Sequence, residues 1–201
     1  MLKAENFYTL VLSSYEKGRD LGGTLKIESN QPLTVRTIGA EGQGMFAQKL
    51  NGCWDANTAG GCANNGAFYG KNPAWQVQLR GETDFMMRLA ITAQNVGGMN
   101  ITNPEEFKCC VGMSMFRTNS TQFPLSANQY KIQNLRNAAI STSDGSYTWN
   151  LSAAVSKKEK LAAGVYIVVP TTYDPGVFAH FEISLYCSGN LMTVADYPHS
   201  G

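Results

Sequence analysis

The residues best placed to do chemistry crowd into one segment, 51-NGCWDANTAGGCANNGAFYGKNPAWQVQL-79. It holds two thiols, Cys53 and Cys62, and a carboxylate, Asp55, among glycines and asparagines. A thiol nucleophile needs a base to ionise it, and the chain has only two histidines, His180 and His199, both far away in sequence. A calcium site wants six or more oxygens, and Asp55 has no acidic neighbour. A zinc knuckle wants Cys-x-x-Cys, and Cys53 and Cys62 stand too far apart for one. Each residue also has a plain structural use. Gly52, Gly60, Gly61 and Gly66 permit positive φ in a long loop. Trp54 reads as a core anchor at a strand end. Asn72-Pro73 is a turn that launches the alternating run Trp75–Leu79. The segment is therefore read as turn and packing chemistry, with no catalytic residue and no cofactor.

The elements around it are strands. Residues 24–30, 75–79, 85–92, 109–116, 147–155, 165–169 and 181–187 alternate apolar and polar side chains or run apolar. Gly, Asn, Pro and Ser clusters punctuate them at 39–44, 97–100, 118–121, 143–146 and 174–176. This predicts an all-β fold, an antiparallel sandwich of about eight strands. Helical signal is confined to 156-SKKEKLA-162 and to an ambiguous stretch over 128–139.

Composition removes several function classes. The chain has 201 residues and a formal charge of +1, so it carries no electrostatic footprint for nucleic acid. No apolar run reaches eighteen residues, and the N-terminus lacks the basic start and cleavage site of a signal peptide. Five cysteines, Cys53, Cys62, Cys109, Cys110 and Cys187, read as reduced thiols of a cytoplasmic protein. Asn100, Asn119 and Asn150 open glycosylation sequons that matter only in a secreted chain.

One internal repeat is visible. Residues 8–35 align without a gap on 166–193, matching Tyr8 with Tyr166, Tyr15 with Tyr173, Gly18 with Gly176, Leu25 with Ile183 and Ile27 with Leu185. Each copy reads as strand, turn, strand. Residues 1–23 are taken as an N-terminal hairpin segment, either the end of a preceding repeat or the opening of this sandwich. Residues 24–198 are taken as the sandwich, with an insertion around 93–146.

Two landmarks carry a family resemblance. Gly52-Cys53-Trp54, then Thr58-Ala59-Gly60-Gly61-Cys62, then Asn72-Pro73 before a strand, resembles the opening of the C2-like β-sandwich, domain III, of calpain cysteine proteases. Residues 164-GVYIVVPTTYDPGVFAHFEISLYC-187, with Pro170 in their centre, resemble its closing segment. With 7-FYTLVLSSYEKG-18 in front, the chain is most similar to the distal C2-like domain of PalB-type calpains. The protease core's Cys, His and Asn segments have no counterpart here.

The resemblance implies a non-catalytic regulatory or targeting domain. It would bind a protein partner, the parent protease's other domains or a membrane surface, and so position the protease core. A second reading is a calcium-dependent phospholipid-binding C2 module. Its calcium candidates are Glu82, Asp84, Asp144 and Asp174, with Glu105-Glu106 nearby, although no loop has Asp-x-Asp spacing. The lysines of 156-SKKEK-160 could then touch anionic lipid. A third reading, a free-standing carbohydrate-binding or hydrolase sandwich, lacks paired carboxylates and a nucleophile elbow. The duplicated hairpin also allows a strand-swapped dimer.

Overall fold

The computed structural model describes residues 8–12, 22–103, 106–126, 129–147 and 153–198. The chain divides into two units, Met1–Ile38 and Gly39–Gly201.

In the first unit the described residues hold no strand and no helix. Ser29 makes a short turn, its Oγ donating to the Gln31 carbonyl at 2.8 Å and accepting from the Gln31 amide at 3.1 Å. The strand expected over 24–30 is absent. The hairpin expected over 1–23 lies mostly outside the described residues.

The second unit is an antiparallel β-sandwich. Its strands are β1 (Phe46–Trp54), β2 (Trp75–Leu79), β3 (Thr83–Val96), β4 (Met99–Ile101), β5 (Val111–Arg117), β6 (Ile140–Ser141), β7 (Ala153–Val155), β8 (Glu159–Leu161), β9 (Gly164–Thr172), β10 (Phe178–Cys187) and β11 (Met192–Asp196). The first sheet runs β1-β10-β3-β4, with β7 and β8 also paired to β3; the second runs β11-β2-β9-β5-β6. One bulge marks the ladder. Phe181 faces Ile91 and His180 faces Ala93, leaving Thr92 as the extra residue of β3.

Both sheets turn their alternating apolar residues inward. Trp54, Val77, Leu79, Phe85, Met87, Leu89, Met113, Met115, Tyr166, Val168, Phe181, Ile183 and Leu185 form the central core. A second core lies on the other face of the second sheet. There Val165, Ile167 and Val169 of β9 meet Phe116, Leu125, Ile132, Tyr69 and Tyr197. The loop after β5 thus covers that face. This explains why β9 reads as an unbroken apolar run rather than an alternation: it is buried on both sides.

Gln76 ties the covering loop down. Its side chain accepts from the Leu125 amide at 2.5 Å and donates to the Asp196 carbonyl at 2.8 Å. Read in sequence as the polar side of an alternating strand, it is 2% exposed. A buried amide holds its place only when both its ends are bonded, as here.

Several expectations change. There are eleven strands among the described residues, not eight. Residues 156–162 form no helix; Glu159–Leu161 is a strand paired with Thr83–Phe85. Within 128–139 only Ile132–Asn134 is helical, one 3-10 turn. The stretch 93–146, expected to hold an insertion, contains β5, a central strand; the irregular part is the loop that caps the second core.

Candidate functional site

The 51–79 segment begins with β1, which delivers Trp54 into the core. Its ring lies 4.2 Å from that of Phe181, centroid to centroid, and its indole N–H donates to the Pro170 carbonyl at 3.3 Å. Gly52 makes room for this stack. A Cβ there would sit 2.5 Å from the Phe181 ring and 2.9 Å from Trp75.

Asp55 then closes a turn. Its carboxylate accepts from the Asn57 amide at 2.8 Å, the Thr58 amide at 3.0 Å and the Thr58 hydroxyl at 2.8 Å. Those donors, the Asn57 amide foremost, hold its carboxyl below the usual carboxylate range. Asp55 is thus engaged as a turn cap.

The Thr-Ala-Gly-Gly-Cys run next clasps the turn between β9 and β10. The Gly176 amide donates to the Ala59 carbonyl at 2.9 Å, and the Cys62 amide donates to the Tyr173 carbonyl at 3.1 Å. Asn65 adds a side-chain bond to the same Tyr173 carbonyl at 3.2 Å. Asn72, fully buried, donates to the carbonyls of Gly61 at 2.8 Å and Tyr69 at 3.0 Å. Pro73 follows it and leads into β2. The two landmarks of the sequence, more than a hundred residues apart, are therefore hydrogen-bonded to each other.

The thiols are not arranged for catalysis. Cys62, Cys109, Cys110 and Cys187 are buried, and only Cys53 is half-buried. Burial pushes the Cys109 thiol up to about 11, with a smaller push from Cys110. Burial likewise raises Cys110, helped by Asp174, and Cys187. A protonated thiol is a poor nucleophile. Cys53 does face His180 directly across β1 and β10. No hydrogen bond joins the two among the described residues, and no third group orients the imidazole. His199 lies outside the described residues. In the native protein, Ellman's reagent is expected to label Cys53 first, and the other four only as the protein unfolds.

Alkaline pH should destabilise the sandwich. Burial holds Tyr147 up at about 12 from an ordinary 10.0, and Cys109 at about 11 from 9.0. Both folded values lie above the unfolded ones. Their stabilising contribution is therefore complete below pH 9 and is lost as pH climbs through 9–12. Melting temperatures at pH 8, 10 and 11.5 should fall in that order.

The calcium candidates are dispersed and paired. Lys157 Nζ lies 2.7 Å from Asp144, Lys158 Nζ 4.0 Å from Asp84, and Lys160 Nζ 3.5 Å from Glu82. The lysines read as a lipid contact and the acids read as ion ligands thus face each other. The β3–β8 register, Asp84 opposite Lys160, brings them together. These side chains are largely exposed, so such pairs add little stability. Asp174 sits apart in the β9–β10 turn, where its carbonyl accepts from the Thr172 hydroxyl at 2.7 Å. Glu106 accepts from Asn103 at 2.8 Å, and Glu105 is outside the described residues. No group of three or more His, Cys, Asp or Glu is placed to hold a metal among the described residues.

Sequence comparison decides the family. Residues 50–186 match the family described as calpain large subunit, domain III. This chain belongs to that family. The matched span runs from β1 through β10, so it contains both halves of the clasp and nearly all of both sheets. Among curated relatives, the calpain-like protease palB/RIM13 of Cryptococcus neoformans var. neoformans serotype D, strain JEC21, is 28% identical over 167 residues. The match takes in 83% of this chain and 17% of that protein. The same protein from strain B-3501A matches equally. Calpain-7 of Mus musculus is 27% identical over 101 residues, 45% of this chain and 12% of its own length. The chain spans about a sixth of the first relatives it matches. Domain III is a non-catalytic part of calpain-like proteases, and the protease core is absent from this sequence.

Proposed function

We propose that this domain III is a regulatory or targeting module of a calpain-type cysteine protease, working in the cytoplasm. It positions the protease core by contact with a protein partner, the parent's other domains or a membrane surface. The observation that carries the reading is the clasp. The chemically suggestive residues of 51–79 are engaged in holding the sandwich closed, which leaves a binding body rather than a catalytic one.

The N-terminal residues support a tandem arrangement. Tyr8, Leu10, Val11, Leu25 and Ile27 are 45–77% exposed, whereas their counterparts in the repeat, Tyr166, Val168, Val169, Ile183 and Leu185, are at most 1% exposed. A closing hairpin from a further copy of the sandwich would carry this pattern. A strand-swapped dimer is the other use for it, and sedimentation over a wide concentration range separates the two.

The test is to add the purified 201-residue protein to the parent's protease core and follow binding and peptidase rate together. We expect no peptidase activity from the domain alone and saturable binding to the core, with a change in its rate. Absence of binding to the core, with activity unchanged, would overturn positioning through the core. Calcium titration tests the alternative reading. A calcium site filled to a hundred times its Kd would add about 2.7 kcal/mol, roughly 5–10 °C in Tm for a domain of this size. We expect no calcium-specific shift.

A further inference from the structure

Apart from the clasp, the second sheet ends in a cavity of about 780 Å³. It lies where β2, β9 and β5 run side by side: Leu79 pairs with Gly164, and Arg117 pairs with Tyr166. Arg80, just past the end of β2, and Arg117, at the end of β5, both line it. They flank the start of β9 from either side. Two strand spacings separate them, roughly 10 Å of backbone, a gap that two arginine side chains can close on one anion.

No carboxylate lines the cavity; the other walls include Gln78, Asn119, Ser120 and Thr121. Each guanidinium makes one hydrogen bond, to a backbone carbonyl. Arg80 Nη2 donates to Asn190 at 2.6 Å and Arg117 Nη2 to Ala163 at 2.9 Å. Neither has an acid within 4.0 Å among the described residues, whereas the three lysines of β8 and its approach all do. A guanidinium has five N–H donors, so most of the fork on each arginine is unused. Gly164 helps set the geometry. A Cβ on it would stand 3.2 Å from Arg117 Nε, so a side chain here would press on the guanidinium.

We propose that this cavity binds a phosphate monoester or pyrophosphate-type anion between Arg80 and Arg117. The charge and shape agree. Two guanidiniums bring two positive charges and parallel N–H pairs, which match a tetrahedral anion carrying between one and two negative charges. A single carboxylate would leave one arginine uncompensated. The volume is that of a small-molecule site and leaves space for the rest of an ester. The assignment does not depend on the protease-positioning reading.

The experiment is calorimetric titration of the 201-residue protein with inorganic pyrophosphate at low salt, against a sodium chloride control of equal ionic strength. Flotation with phosphatidylcholine vesicles, with and without phosphatidylinositol monophosphate, runs in parallel. Variants are Arg80→Met, Arg117→Met and Arg117→Lys. Both arginines are exposed, and near-UV circular dichroism checks that the folds match. We expect one saturable pyrophosphate site, weakened tenfold or more by either methionine. Arg117→Lys should be weakened as well, because lysine keeps the charge but not the fork. Arginine-dependent binding to the phosphoinositide vesicles alone would also support the site and assign its ligand to a lipid headgroup. The proposal is overturned if neither probe binds, or if binding survives both methionine substitutions.

Discussion

Trp54→Ala is expected to cost about 3–5 kcal/mol, the range for removing a large buried aromatic. Trp54 is 1% exposed and contacts Phe181, which in turn meets the edge of Trp75 with centroids 6.1 Å apart. Alanine would leave a void beneath β10 that the rigid sheets cannot fill. It would also leave the Pro170 carbonyl without its indole donor. Against a total stability of about 5–15 kcal/mol for a typical domain, that loss is large. It should lower Tm by roughly 10 °C or more. Trp54→Phe is the informative control. It keeps a ring against Phe181 and loses only the N–H and part of the volume, so it should cost less than half as much. Urea unfolding followed by circular dichroism measures both. Equal losses for the two variants would mean that the hydrogen bond, not the packing, dominates.

The second large effect is expected in the clasp. Gly60→Ala would put a Cβ 2.0 Å from the Phe68 carbonyl oxygen and 2.9 Å from its carbon, backbone atoms that cannot swing aside. Gly61→Ala meets two obstacles: φ is +73°, and its Cβ would lie 2.7 Å from the Pro175 nitrogen. Strained backbone costs about 1–3 kcal/mol, and forced overpacking costs a similar amount. Each variant should therefore lose about 3 kcal/mol. Because both open the same clasp, the double variant should lose less than the sum. Gly66 supplies the contrast. Its φ is also positive, +55°, but nothing lies within 4 Å of an added Cβ. Gly66→Ala should thus show the backbone strain without the clash, about 1 kcal/mol. If all three glycines cost the same, the close approach of the two loops is not what holds them.

Much of the fold was legible because local chemistry coincides with global need. The run 75-WQVQL-79 is strand β2 residue for residue, and 165-VYIVV-169 lies wholly within β9. The reading of 51–79 as turn chemistry also came from single residues: glycines for tight approaches, Asn72-Pro73 for a strand launch, Trp54 for an anchor. Where expectation failed, the competing cause was tertiary. The alternation in 24–30 looks like that of β10, yet a strand exists only where a neighbour takes its hydrogen bonds, and 24–30 has none. Residues 156–162 carry helix-forming lysines, but pairing of Glu159–Leu161 with β3 overrides that preference. β1 was missed because the alternation of 46-FAQKLNGCW-54 is diluted by its edge position, where most side chains are exposed.

The sequence by itself determined the all-β class, the strand positions of the core, the absence of protease machinery and the family. These depend on residue type and near-neighbour spacing, which the chain carries locally. Only the tertiary structure decided that Ala59 and Gly176 hold one another, that the acids of β3 and the 143–145 turn answer the lysines of 157–160, and that Arg80 and Arg117 share a cavity free of carboxylates. Each of these joins residues distant in sequence through strand order and register. A one-residue change of register would face each strand the other way, so no local pattern encodes such meetings.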